Sequence, residues 1–82
     1  MTPAEKIRGF ISETFFVDDF ADDDSFLRTG TIDSTGMLEL ISFVESEFNV
    51  QIDDDELVPE NLDSVSNLVA FLARKGVSTS AA

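Results

Sequence analysis

From Met37 to Phe48 the apolar side chains Met37, Leu40, Ile41, Val44 and Phe48 recur three and four residues apart. That spacing gathers them into one stripe of an α-helix over three turns, and a strand could not use it. Thr35, Glu39, Ser42 and Ser46 fall on the outer face. Leu38 and Phe43 lie off the stripe, about 110° from its centre at 100° per residue. A helix with one apolar stripe needs other one-sided elements to cover it. The chain supplies two more. Thr2-Pro3-Ala4-Glu5 reads as a helix start, with Thr2 as the cap, Pro3 in the first helical position and Glu5 where a capping-box carboxylate belongs. Ile7, Phe10, Ile11, Thr14 and Phe15 follow at helical spacing and predict a first helix over residues 3–16. Near the other end, Asp63 or Ser64 caps a helix carrying Val65, Leu68, Val69 and Leu72. Arg74 and Lys75 complement its dipole, and Gly76 stands just past its end.

Between these helices the period fails. Val17 to Asp33 is rich in Asp, Ser, Thr and Gly, and reads as a long loop pinned to the core by Phe20, Phe26 and Leu27. A loop of that length carries either a short turn of its own or a function. Gly30 is the expected positive-φ turn residue. After Asn49-Val50-Gln51-Ile52 comes the acidic run Asp53-Asp54-Asp55-Glu56, and Pro59-Glu60-Asn61-Leu62 suits one helical turn. The expected fold is all-α: a small four-helix bundle of three main helices and one short helix, with a long loop between helices one and two. It forms a single domain over residues 1–76, followed by a disordered tail over 77–82. There is no internal repeat and no β alternation.

Composition narrows what such a bundle can do. With 82 residues there is room for one modest core, and 43% hydrophobic residues are enough to build it. The chain has no cysteine, hence no disulfide and no thiolate of its own. It has no histidine, which removes the commonest general base. An enzyme would have to work with carboxylates and hydroxyls, without a second layer to desolvate them, so none is expected. The net charge of −12 argues against nucleic acid and against anionic membrane surfaces, and favours basic protein partners. Ten acids lie between Thr29 and Ala73, with no basic residue among them; Lys6, Arg8, Arg28, Arg74 and Lys75 all lie outside. That stretch reads either as a solvated face or as a docking surface for basic partners. Asp22-Asp23-Asp24 and Asp53-Asp54-Asp55-Glu56 lack the alternating ligands and central glycine of a calcium loop, so no dedicated metal site is expected, only weak divalent-cation stabilisation. The start of the chain lacks the basic and apolar regions of a signal peptide, and no segment is long enough to span a bilayer. A soluble, cytoplasmic monomer is the expectation.

The functional signal is local: Gly30-Thr31-Ile32-Asp33-Ser34, immediately before the apolar stripe. A serine at a helix start is by default a cap. Here Asp33 can do the capping, which leaves Ser34 free to project. A helix N-terminus also tolerates an attached phosphodiester through its free N–H groups and dipole. With no cysteine or histidine, Ser34 has no visible base to make it a nucleophile in its own right. It makes better sense as the substrate of another enzyme than as a catalyst.

Over residues 4–75 the chain resembles the acyl carrier and peptidyl carrier proteins. Their pattern is a helix, a long loop, an Asp-Ser dyad opening an acidic second helix, a short third helix and a fourth. Gly30-Thr31-Ile32-Asp33-Ser34, Leu40-Ile41, Val44-Glu45 and Phe48 stand where that pattern places them. The resemblance implies that Ser34 accepts 4′-phosphopantetheine from coenzyme A, in a step catalysed by a magnesium-dependent phosphopantetheinyl transferase. It implies that Asp33 helps position the metal for that enzyme. The thiol of the arm would then hold a thioester-linked cargo, loaded by an acyl or aminoacyl ligase and used by downstream synthases and transferases with basic docking surfaces. Helix two would be the recognition element, with Thr35, Leu38, Glu39, Glu45 and Glu47 as partner contacts. Leu38 reads equally as a residue leaning on the first loop. Many family members have Leu directly after the modified serine, where this chain has Thr35 and then Gly36, a hint of a specialised carrier. A Phe-rich core would leave little room for a long acyl chain and would favour small or amino-acid cargo. The competing reading is an unmodified acidic helical module that binds a basic partner and uses Ser34 only as a cap.

Overall fold

The computed structural model describes residues 2–17 and 19–77. Among them five helices follow in order: α1 (Pro3–Phe15), α2 (Phe26–Thr29), α3 (Ser34–Phe48), α4 (Pro59–Leu62) and α5 (Val65–Arg74), with one 3-10 turn at Asp54–Glu56. Among the described residues there is no strand, and no helix is long and apolar enough to cross a membrane. The three main helices and the short fourth are those expected from the spacing. The one-turn α2 is an addition inside the long loop, and the 3-10 turn an addition inside the acidic run.

The helix ends form for local reasons. At α1, Thr2 Oγ1 accepts from the Glu5 N–H at 3.2 Å while Glu5 Oε1 accepts from the Thr2 N–H at 3.0 Å, a closed capping box. At α5 the cap is Ser64, whose Oγ accepts from the Asn67 N–H at 3.0 Å. The same helix ends with Gly76 at φ 92°. There the Gly76 N–H donates to the Ala73 carbonyl at 3.1 Å and the Val77 N–H to the Leu72 carbonyl at 2.9 Å. Those two reversed bonds make a Schellman motif, and Val77 packs on the core as its apolar closure. Val77 therefore belongs to the folded unit rather than to the expected tail; residues 78–82 lie outside the described residues.

The core is built from Ile7 and Ile11 of α1, Leu40 and Val44 of α3, and Val65, Leu68, Phe71 and Leu72 of α5. Phe71 joins a stripe from which the sequence reading omitted it. Helices α1 and α3 run antiparallel: Lys6 Nζ meets Glu47 Oε2 at 3.4 Å at one end, and Phe15 lies against Gly36 at the other. Phe43, off the main stripe of α3, stacks on Phe10 with ring centroids 4.2 Å apart.

Two side chains fix the loop that leads to Ser34. Arg8 donates to Asp22 Oδ1 at 2.6 Å and to the Phe20 carbonyl at 2.8 Å, and its guanidinium lies 4.2 Å from the centroid of the Phe20 ring. Asp63 accepts from the Ser25 hydroxyl and from the Leu27 N–H at 3.0 Å, while its carbonyl accepts from the Phe26 N–H at 2.8 Å. So Asp63 ties the loop to the α4–α5 corner and leaves the capping of α5 to Ser64. Phe20, Phe26 and Ile32 are buried, but Leu27 is 46% exposed and does not pin the loop.

Candidate functional site

Ile32 is buried, and its N–H donates to the Phe26 carbonyl at 3.3 Å. The chain therefore arrives at α3 in a fixed position. Asp33 is the N-cap, in extended conformation, and its Oδ1 accepts from the Gly36 N–H at 2.7 Å. The first full helical bond runs from the Met37 N–H to the Asp33 carbonyl at 2.9 Å. Capping by Asp33 satisfies one of the orphan donors of the first turn and leaves the N–H groups of Ser34 and Thr35 without helical partners. Ser34 is exposed, and among the described residues nothing hydrogen-bonds its hydroxyl. A free hydroxyl stands beside two free N–H groups at the positive end of a 15-residue helix. Among the described residues no side chain hydrogen-bonds that hydroxyl, and Oδ1 of the neighbouring Asp33 carboxylate is engaged with the Gly36 N–H.

Glycine at position 36 has a steric reason. A Cβ there would lie 2.7 Å from Phe15 Cε1 and 2.9 Å from Ile32 Cγ2. The C-terminal end of α1 thus closes directly on the first turn of α3.

The sequence-predicted contact residues divide. Thr35, Leu38 and Glu39 are exposed on the turns that follow Ser34. Leu38 is 65% exposed, so it does not lean on the first loop. It stands on a ridge between two grooves. One, of about 520 Å³, runs along α1 and α3 and is lined by Phe10, Leu38, Glu39, Ser42 and Phe43 among others. The other, of about 250 Å³, lies between α3 and the α4 region and is lined by Leu27, Met37, Leu38, Ile41, Leu57 and Leu62 among others. Among the described residues, Leu27, Leu38 and Leu57 are three of the four large hydrophobic residues left exposed, and all three border this second groove. The sequence reading placed Leu27 in the core and passed over Leu57, because neither stands in a periodic run that would mark a face.

Glu45 differs from expectation. It is half-buried, and its Oε2 accepts from the Ile52 N–H at 2.9 Å. The carboxylate ties α3 to the segment after it rather than standing free for a partner. Glu47 is on the surface in a long, exposed pair with Lys6, which a competing cation can displace at little cost. Among the described residues Glu39 makes no ion pair. The acidic runs serve the fold in part. Asp22 holds Arg8, Asp24 accepts from the Ala21 N–H at 2.9 Å, and Glu56 accepts from Lys75 at 2.9 and 3.2 Å.

The profile of the phosphopantetheine attachment site matches residues 5–72, a span that takes in the Asp33-Ser34 pair and nearly the whole bundle. The chain belongs to the phosphopantetheine-attachment family. No curated protein matches it. The family carries 4′-phosphopantetheine as its prosthetic group, and this chain is accordingly a phosphopantetheine-bearing carrier. The residues of the carrier fit that group. An unpartnered, exposed hydroxyl, two free N–H groups suited to a phosphate and an apolar groove on the same helix are all present.

Proposed function

We propose that Ser34 is the residue that bears the arm, and that the carrier passes a thioester-linked acyl or aminoacyl intermediate between partner enzymes. The observation that carries this reading is the division of labour at the start of α3: Asp33 caps the helix, so the Ser34 hydroxyl is left exposed and unbonded. In the loading step the Ser34 oxygen forms a bond to the phosphorus that bears the pantetheine in coenzyme A. The pyrophosphate bond breaks, the nucleotide leaves as 3′,5′-adenosine bisphosphate, and the serine proton goes to a base on the transferase. The chain itself supplies position and charge. The arm, when bound, supplies the thiol that a chain without cysteine lacks.

Asp33 is proposed to help the transferase place its magnesium with the carboxylate oxygen that Gly36 does not use. Thr35, Leu38, Glu39 and Glu47 are proposed as contacts for a phosphopantetheinyl transferase, a loading ligase and downstream synthases, all with basic docking surfaces. The setting is a specialised lipid, polyketide or peptide pathway, and the protein works as a cytoplasmic monomer without catalysis of its own. Thr35 remains the mark of a dedicated partner set; Gly36 is accounted for by Phe15. Incubating the folded chain with coenzyme A, magnesium and a broad-range phosphopantetheinyl transferase, and reading intact mass, separates this from an unmodified interaction module. The carrier gains one phosphopantetheine; the module gains nothing.

A further inference from the structure

We propose that Phe16 is a contact residue for the phosphopantetheinyl transferase, seated in an apolar pocket on that enzyme while it works on Ser34; this rests on the reading of Ser34 as the attachment site. Phe16 terminates α1 as its C-cap with φ 58° and ψ 40°, in the left-handed region. That conformation is the domain of glycine and asparagine, and a bulky side chain is disfavoured there. The only other non-glycine residue with positive φ among the described residues is Asn49, a type that tolerates it. Phe16 is also 92% exposed, the most exposed large hydrophobic residue among the described residues.

Neither feature serves the fold. The turn is closed by Ser12, whose hydroxyl donates to the Val17 carbonyl at 3.0 Å. Packing at this point comes from the neighbouring Phe15, which covers Gly36 and Ile32. A glycine or asparagine at position 16 would cap the helix better and expose no ring to water. The ring therefore has its use outside the chain.

Its position says where. Because Phe15 lies on Gly36, Phe16 is at the end of the bundle that presents Ser34, opposite the Lys6–Glu47 end. Glu13 and Asp19 flank Phe16 in sequence and Asp33 caps α3 at this end, all three exposed, while the α1 cations Lys6 and Arg8 lie two or more turns back and pair with Glu47 and Asp22. A single ring in an acidic field fits a pocket that is apolar at its base and rimmed by Arg or Lys. The enzyme that must come to this end of every copy is the one that installs the arm. Buried aromatic anchors are where interface energy concentrates.

The test compares the wild-type chain with F16G, F16N and F16Y as substrates of a broad-range phosphopantetheinyl transferase with coenzyme A and magnesium. For F16G and F16N, KM for the carrier rises about five- to tenfold with kcat within twofold, and the melting temperature does not fall. F16Y, which keeps the ring, behaves as wild type. A role in stability alone would lower the melting temperature and leave KM where it was, which overturns the proposal. So does a KM for F16G equal to that of wild type, or a concentration-dependent dimer that F16G abolishes. If the wild-type chain is not modified by an active transferase, the reading of Ser34 falls and Phe16 falls with it. Modified wild type with indifferent variants removes Phe16 alone.

Discussion

Phe15 closes on Gly36 so tightly that a Cβ at position 36 would sit 2.7 Å from its Cε1. In an isolated helix this glycine costs roughly 1 kcal/mol relative to alanine. Here it admits the ring that joins the end of α1 to the turn carrying Ser34. Gly36→Ala should therefore destabilise the chain despite its better helix propensity, by about 1–3 kcal/mol, since the ring and Ile32 both have to shift. Urea denaturation measures it. Phe15→Leu in the G36A background should recover part of the loss. A gain in stability for G36A would mean that the ring is not held there.

Asp33 combines a cap with a place beside Ser34, the proposed attachment site, and two substitutions separate these. Asp33→Ala removes the acceptor for the Gly36 N–H and should cost about 1 kcal/mol of stability. Asp33→Asn keeps an acceptor, so its melting temperature should stay near wild type, while the rate of phosphopantetheine transfer falls because the carboxylate charge is gone. Thermal unfolding and an intact-mass time course check the two halves. Equal transfer rates for D33N and wild type would leave Asp33 as a cap only.

The acids of α3 should divide by function as they do by position. Glu45→Ala leaves the Ile52 N–H without its acceptor and should cost about 1–2 kcal/mol, read by urea denaturation. Glu39→Ala removes no hydrogen bond or ion pair among the described residues and should change stability by less than about 0.5 kcal/mol. Its effect should appear instead as weaker binding to a basic partner enzyme, in a salt-dependent manner.

Glu56 and Lys75 give the fold a defined pH response. A hydrogen bond from the Asp53 N–H, and then one from Lys75, hold the Glu56 carboxyl below its ordinary value; the bond to Glu56 raises Lys75 above its own. A carboxylate with a lowered folded pKa contributes fully above its unfolded value, about 4.3, and loses that contribution as pH falls through the folded one. A raised lysine contributes fully below about 10.4 and loses it as pH climbs through the folded value. The stability gap between wild type and Glu56→Gln should thus be flat through neutral pH and shrink toward pH 3 and above about pH 10.4. Denaturation curves at pH 3, 7 and 11 test it. A gap as large at pH 3 as at pH 7 would show that the ion pair is not its source.

The main helices and their caps were legible in the sequence because each rests on contacts three or four residues apart. Thr2 with Glu5, and the Leu40–Val44 stripe, are of that kind. The free hydroxyl of Ser34 was legible for the same reason, since Asp33 reaches only as far as Gly36. What escaped depends on distant partners. Asp63 was one of two candidate caps for α5 beside Ser64, yet it bonds Ser25 and Leu27 from 38 and 36 residues away. Gly36 looked like a weakness until Phe15 was placed over it. Glu45 looked like a free acid until the chain turned back and brought the Ile52 N–H to it. Leu27 read as a core contact and Leu57 drew no reading, and only the fold sets both beside Leu38 around one groove.

The most direct measurement is the intact mass of wild type and Ser34→Ala after incubation with coenzyme A, magnesium and an active phosphopantetheinyl transferase. Both chains should be folded, since Asp33 supplies the cap and the Ser34 hydroxyl supplies no bond. Wild type should gain the mass of one phosphopantetheine, and S34A none. An unmodified wild type, or an S34A chain that still gains the arm at another serine, would contradict the assignment.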